Sequence, residues 1–259
     1  MTTSTGVAAA AGRPLRSSLI AAIVGISLLL PIARGAAAPG KTPDIFGVWL
    51  AISSNSANHD PKWANKPYAP DPQFTAWGAE QSREQGRLGV ELPTPGACEP
   101  ISPASFVGGF FPTQILQGHN QIVLLNEWVA VPRRIYMDGR GHPPAEDVLP
   151  SWEGHSIGHW EGDTLVVDTI GFSAKSDMMG ASTGLQLVER FTRIAPDVLQ
   201  YDVTMSDPST WTQPWTVRIP MKQIDEPLIE YACHEGNLGM FGILAGARKQ
   251  EADAGRATK

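Results

Sequence analysis

The residues with the most chemical content are Gly154-His155-Ser156-Ile157-Gly158. They spell G-x-S-x-G, the pattern that presents a nucleophilic serine on a strained strand-to-helix turn. Asp207 and His234 follow Ser156 in the serine–acid–histidine order that a hydrolase of this kind needs. The same residues also begin a second pattern, which continues through His159-Trp160-Glu161-Gly162-Asp163-Thr164-Leu165-Val166-Val167-Asp168-Thr169. Glu161-Gly162-Asp163 is a turn, and the segments on either side read as paired strands. An elbow needs a buried strand before it and a helix after it. Leu149-Pro150-Ser151-Trp152-Glu153 makes a poor central strand, and a strand follows instead of a helix. The hairpin is therefore the reading that the flanking residues support, with the Ser156 hydrolase as the lesser alternative.

His155 and His159 share a strand face, but they stand about 13 Å apart there, too far to hold one metal ion. No metal site is expected. His155 is the better functional candidate, because its neighbours Gly154 and Ser156 are small and leave room for a ligand. Arg134 and Tyr136 share one face of a predicted strand, and Arg133 points to the other. An Arg–Tyr pair facing a cavity could orient a carboxylate or phenolate. The structural alternative is an arginine paired with Glu153 or Glu189 to hold strands in register. Glu189 and Glu230 sit in predicted strands, where an inward carboxyl would gain a raised pKa and serve as an acid or base. His234 lies beside Cys233 and reads as structural. Six of the eight tryptophans, among them Trp160, lie in or beside predicted strands. Most must be core, yet inward aromatics in a barrel can also enclose a flat ligand.

These candidates need a scaffold to hold them. A short strand is expected near Ile45–Ile52, followed by loop chemistry rich in Pro, Asn and Asp, and one helix over Gln73–Gly86. From Gln114 the pattern changes to strands: Ile122–Leu125, Trp128–Met137 interrupted by Pro132, His155–Trp160, Thr164–Phe172, Leu187–Ile194, Val198–Met205 and Trp215–Met221. Asp138-Gly139-Arg140-Gly141 and Ala195-Pro196-Asp197 read as turns. Asn237–Ala252 is the only later helix. Strands this close together, with almost no helix between them, predict an antiparallel sandwich or barrel.

The N-terminus reads as a signal peptide over residues 1–38. Arg13 and Arg16 precede an apolar run, and Gly35-Ala36-Ala37-Ala38 offers cleavage sites. A loop-rich part over 39–112 and a barrel over 113–259 follow, together one domain of ordinary size. The full chain carries a net charge of −6. Removing Arg13, Arg16 and Arg34 with the signal leaves 17 basic against 26 acidic residues, a balance of about −9. With no Lys or Arg run, the electrostatic footprint for nucleic acid or an anionic membrane is missing. An even pair of cysteines, Cys98 and Cys233, suggests a disulfide in a periplasmic or secreted protein.

The chain also resembles a group of exported proteins of soil and aquatic bacteria. The resemblance rests on Arg133-Arg134-Ile135-Tyr136-Met137-Asp138-Gly139-Arg140, on the GHSIGxWEGDTLVVDT signature at 154–169, on Glu230-Tyr231-Ala232-Cys233-His234-Glu235-Gly236-Asn237 and on Ile243-Leu244-Ala245-Gly246-Ala247-Arg248. That group usually has a basic residue other than histidine where this chain has His159. The barrel part is similar to the calycin superfamily, whose members hold small lipophilic molecules. Neither resemblance implies an activity. Residues and resemblance together give an all-β expectation: an antiparallel calycin-like β-barrel with a loop-rich N-terminal part and a short C-terminal helix. The first functional expectation is an exported protein that binds a small apolar or aromatic molecule in the barrel, with Arg134, Tyr136, His155 and Trp160 at the cavity. The second is a cofactor-independent lyase, isomerase or hydrolase, with His155 as general base and Tyr136, Glu189 or Glu230 assisting. A solidly packed envelope protein is the plainest alternative. No nucleic-acid partner, no cofactor and no stable membrane insertion after signal cleavage are expected.

Overall fold

Apolar residues alternate with polar ones along segment after segment, and in the computed structural model these segments close into a nine-strand barrel. The structure describes residues 43–52, 71–91, 98–100, 102–103, 111–128, 131–176, 179–236 and 238–257. The expected signal segment therefore lies outside the described residues, as does much of the loop-rich part. The staves are β1 (Gly47–Ala51), β2 (Thr113–Gln117), β3 (Gln121–Asn126), β4 (Pro132–Tyr136), β5 (His155–Glu161), β6 (Thr164–Ile170), β7 (Gln186–Ala195), β8 (Val198–Ser206) and β9 (Trp215–Ile224). Helices α1 (Ala76–Glu91) and α2 (Gly239–Ala257) lie outside the ring. The all-β barrel and the C-terminal helix are as expected.

Each strand pairs with the next, and β9 returns to β1. All of these pairs are antiparallel except β4–β5, which is parallel. A closed ring with an odd number of strands cannot be antiparallel throughout, so one parallel seam is a geometric necessity. A parallel pair cannot be joined by a tight hairpin. The connection from β4 to β5 therefore runs from one end of the barrel back to the other. It occupies residues 137–154, with a single 3₁₀ turn at Ala145–Asp147. The seam itself is short, pairing Ile135 with Ser156 and Tyr136 with Ile157.

The other turns show why the alternation was readable. β5 and β6 are joined by Gly162-Asp163, with Gly162 at φ +58°. β7 and β8 are joined by Pro196-Asp197 with a bulge beside it. The inner face carries Trp49, Ile115, Ile135, Leu165, Leu187 and Leu199, each almost fully buried. Trp211, Phe172 and Leu185 close one end of this core. There α1 is tied down by Thr75, whose N–H donates to the Thr210 carbonyl at 2.9 Å. Among the described residues no helix is long and apolar enough to cross a membrane.

Three details differ from the sequence expectation. β1 is a full stave, so the N-terminal part helps to build the barrel as well as packing on it. Pro132 does not interrupt a strand but begins one; lacking an N–H, it suits the first position. Glu230 and Tyr231 lie in irregular chain, not in a strand. Their place is set by a disulfide, Cys98–Cys233, with Cα atoms 5.7 Å apart. Beside it Phe111, Trp128 and Tyr231 form an aromatic cluster, with Trp128 and Tyr231 centroids at 4.7 Å. The Trp128 indole N–H donates to the Glu99 carbonyl at 3.0 Å.

The bridge spans 135 residues of sequence. In the chain-entropy model it contributes about 4–5 kcal/mol by restricting the unfolded chain. The Cys98→Ser/Cys233→Ser protein should lose that amount in urea denaturation, with reductant matching the effect in the native chain. An unchanged midpoint would deny the bridge this role.

Candidate functional site

The barrel interior is not wholly apolar. Arg133 on β4 points inward and is buried, together with Ser156, Thr169, Glu189 and Tyr201. Arg133 forms a bidentate pair with Glu189, with Nη1 donating to Oε1 at 2.9 Å and Nη2 to Oε2. Nη2 also donates to Thr169 Oγ1 at 2.7 Å, and Nε donates to Ser156 Oγ at 3.1 Å. The Ser156 and Thr169 hydroxyls are hydrogen-bonded to each other at 2.9 Å. The Tyr201 hydroxyl donates to Glu189 Oε1 at 2.9 Å. Burial alone would pull the Arg133 pKa down, but the Glu189 carboxylate more than offsets it and the net shift is upward. Burial and the same carboxylate push the Tyr201 phenol well above its usual value. Beside this network is a cavity of about 40 Å³, lined in part by Phe191, Tyr201 and Ile219. That is room for two or three waters, far below the roughly 150 Å³ that admits benzene.

A ligand-sized space lies on the other side of the wall. An open cleft of about 390 Å³ lies outside the β4–β5 seam, lined by Pro132, Arg134, Tyr136, Trp152, Glu153 and His155 among others. Alternation decides this: with Arg133, Ile135 and Ser156 inward, Arg134, Tyr136 and His155 must face out. The sequence reading set these three at a cavity inside the barrel, and the structure places them outside it. Trp160 packs against the core instead. Glu189 belongs to the internal network, and Glu230 is exposed away from the cleft.

Ser156 sits within a strand, its Oγ enclosed by Arg133 and Thr169. The two glycines around it have other reasons. Gly154 enters β5 at φ +66°, and a Cβ there would meet the Ile170 carbonyl at 2.7 Å. A Cβ on Gly158 would meet Met137 Sδ at 2.7 Å and Ile135 Cγ2 at 2.8 Å. The G-x-S-x-G spacing thus records a strand entry and a close approach to β4. Asp207 holds its own loop, accepting from Ser182 N–H and the Thr210 hydroxyl, both at 2.6 Å.

His155 meets a partner that its own segment does not reveal. The 137–154 connection brings His142 to it, with the two Nδ1 atoms 2.8 Å apart. His159 turns instead to Glu161 at 3.2 Å. His142 Nε2 faces Asp168 Oδ1 at 3.6 Å, long for a hydrogen bond but close enough for attraction. Asp168 is held in turn by Gln186 Nε2 at 2.9 Å. Two facing Nδ1 atoms can share only one proton. The arrangement that suits Asp168 keeps a proton on His142 Nε2, so His155 Nδ1–H donates to His142. His155 Nε2 is then the remaining basic atom of that ring. Burial holds the His155 pKa below its usual value, with His142 and Arg140 adding to the effect. Tyr136 stacks on His155 at 5.4 Å, and Arg140 lies over the Tyr136 ring with its Cζ at 4.1 Å.

Glu153 completes the site, and sequence reading had given it only a structural role. Burial raises its carboxyl pKa to about 7, Arg133 opposing and Glu189 reinforcing the shift. Its Oε2 is buried without a hydrogen-bond partner among the described residues. No family model, curated protein or solved structure matches this chain. The site is accordingly read from its own geometry.

Two measurements follow. Glu189→Leu alone strands a buried guanidinium and should cost about 3–5 kcal/mol in urea denaturation, whereas Arg133→Met/Glu189→Leu should recover most of that loss. A double variant as unstable as the single would show that the pair does more than satisfy itself. For Glu153 the folded pKa exceeds the ordinary value of 4.5. Its contribution to stability is therefore full below pH 4.5 and is lost as pH rises through about 7. Glu153→Gln should flatten stability over that window, and a slope unchanged from the native chain would reject the raised pKa.

Proposed function

We propose that this chain is an exported barrel protein that binds a small apolar or aromatic molecule in the cleft outside the β4–β5 seam. His155 acts on the bound molecule as a general base. The observation that carries this reading is the Asp168–His142–His155 series bordering a cleft of about 390 Å³. That volume is within the range of small-molecule sites. Tyr136 and Trp152 supply flat apolar walls to it. A base works best when it is uncharged at the operating pH, and the depressed His155 pKa favours that state. When Nε2 takes a proton, the Nδ1 proton can move toward His142, whose far side faces Asp168. The positive charge is then stabilised without moving either ring. Proton transfer of this kind calls for no cofactor.

The calycin-like resemblance supports a carrier of lipophilic molecules, and the outer cleft moves that expectation from the lumen to the surface of the wall. Export is supported by the Cys98–Cys233 bridge, since disulfides persist in oxidising compartments.

The test is ligand-observed NMR of the purified chain with a panel of small benzene derivatives, followed by product analysis of whatever binds. Tyr136→Ala and His155→Ala should each weaken binding about tenfold with thermal unfolding unchanged. Turnover in the native protein that is lost in His155→Ala would establish the enzyme. Binding without turnover would leave a carrier, and affinities unchanged in both variants would remove the site from the cleft.

A further inference from the structure

The cleft contains a cation with no visible employment. Arg134 lines it, is exposed, and has no hydrogen bond or ion pair among the described residues. Other surface arginines, Arg140, Arg190 and Arg218, each hold a carboxylate: Asp138, Glu161 and Asp202. The register places Arg134 well. Ile135 pairs with Ser156, so one position earlier on each strand sets Arg134 opposite His155. Paired strands are about 4.8 Å apart, so the two side chains leave the wall from neighbouring backbone positions on its outer face. On the loop side of the cleft is Glu153, whose buried Oε2 finds no hydrogen-bond partner among the described residues.

We propose that the cleft selects planar carboxylates, with Arg134 binding the ligand's carboxylate and Glu153, in its acid form, donating a hydrogen bond to it. This deepens the reading above and rests on the cleft being the binding site. A planar guanidinium matches a carboxylate in geometry as well as charge. An orphaned carboxyl oxygen gains the partner it lacks when the ligand arrives. The aromatic part of such a ligand meets Tyr136 and Trp152, and His155 is left to reach a proton on it. The protein as a whole is anionic, with a net charge of −6, so an anion-binding cleft is a local departure from its surface. Burial supports the acid form of Glu153 at neutral pH. The charged groups that act on Glu153 are Arg133 and Glu189 inside the wall. Arg134 and His155 share its cleft, and His142 and Arg140 stand behind His155.

The experiment is a 19F NMR titration of the full chain with 4-fluorobenzoate and its neutral isostere 4-fluorobenzamide. It compares the native protein, Arg134→Gln and Glu153→Gln at pH 6 and pH 8.5. The native chain should bind the benzoate at least about tenfold more tightly than the benzamide, as expected for a charge-assisted pair. Arg134→Gln should erase that preference and leave the benzamide unaffected; Arg134 is exposed, so the fold should not suffer. Benzoate binding should weaken as pH rises and Glu153 ionises, and Glu153→Gln should remove that part of the pH dependence while leaving the part due to His155. Equal affinity for the two probes, or a preference that survives Arg134→Gln, overturns the proposal and leaves the cleft as a neutral aromatic site. A pH dependence unchanged in Glu153→Gln overturns the part given to Glu153. Binding of neither probe would overturn the cleft itself as the site.

Discussion

The Arg133–Glu189 pair decides the layout of this protein. A guanidinium and a carboxylate inside a barrel are costly unless each is fully matched. Here the match draws on five strands, with Arg133 on β4, Ser156 on β5, Thr169 on β6, Glu189 on β7 and Tyr201 on β8. Because side chains alternate along a strand, burying Arg133 forces Arg134 and Tyr136 outward, and burying Ser156 does the same for His155. A slip of one residue would send every one of them to the opposite face. The polar network in the lumen therefore specifies the register that assembles the outer cleft. Inner wall and outer site are two sides of one constraint.

Topology supplies what alternation cannot. Nine staves require a parallel seam, and a parallel seam requires a connection that travels the height of the barrel. That connection carries His142 to His155 and sets Trp152 and Glu153 at the cleft. The catalytic candidates on β5 would otherwise lie on an open sheet face, exposed to water and with ordinary pKa values. The crossover gives His155 its partner and gives Glu153 its burial.

How much of this was legible in the sequence follows from what each signal measures. The hairpins of β5–β6 and β7–β8 were clear because alternation and two-residue turns are local. The disulfide was clear because two cysteines allow only one pairing. Arg133 and Arg134 were separable as opposite-facing, but which one faced inward was not, since a Pro at 132 leaves the register open. His142 was out of reach because its partner lies 13 residues away across a parallel crossover, and nothing local announces one. Glu153 read as an ion-pair partner; that its Oε2 has no hydrogen-bond partner among the described residues depends on how the connection folds back. Glu230 and Tyr231 misled because a short apolar run, Leu228-Ile229 and Tyr231-Ala232 around one Glu, imitates a strand, whereas their position is set by the nearby Cys233 bridge.

The β4–β5 seam has a last consequence. A closed barrel has no edges, and edges are where sheets recruit other sheets. With only two paired positions, this seam is the place where the ring is most easily unzipped, and parting there would expose two bare strand edges at once. Arg133 latches it from within through Ser156 Oγ, and the 137–154 connection covers it from without. Whatever occupies the cleft rests on both sides of the join. A bound molecule would then act as a rivet, so that occupancy of the site and resistance to edge-to-edge aggregation become the same property.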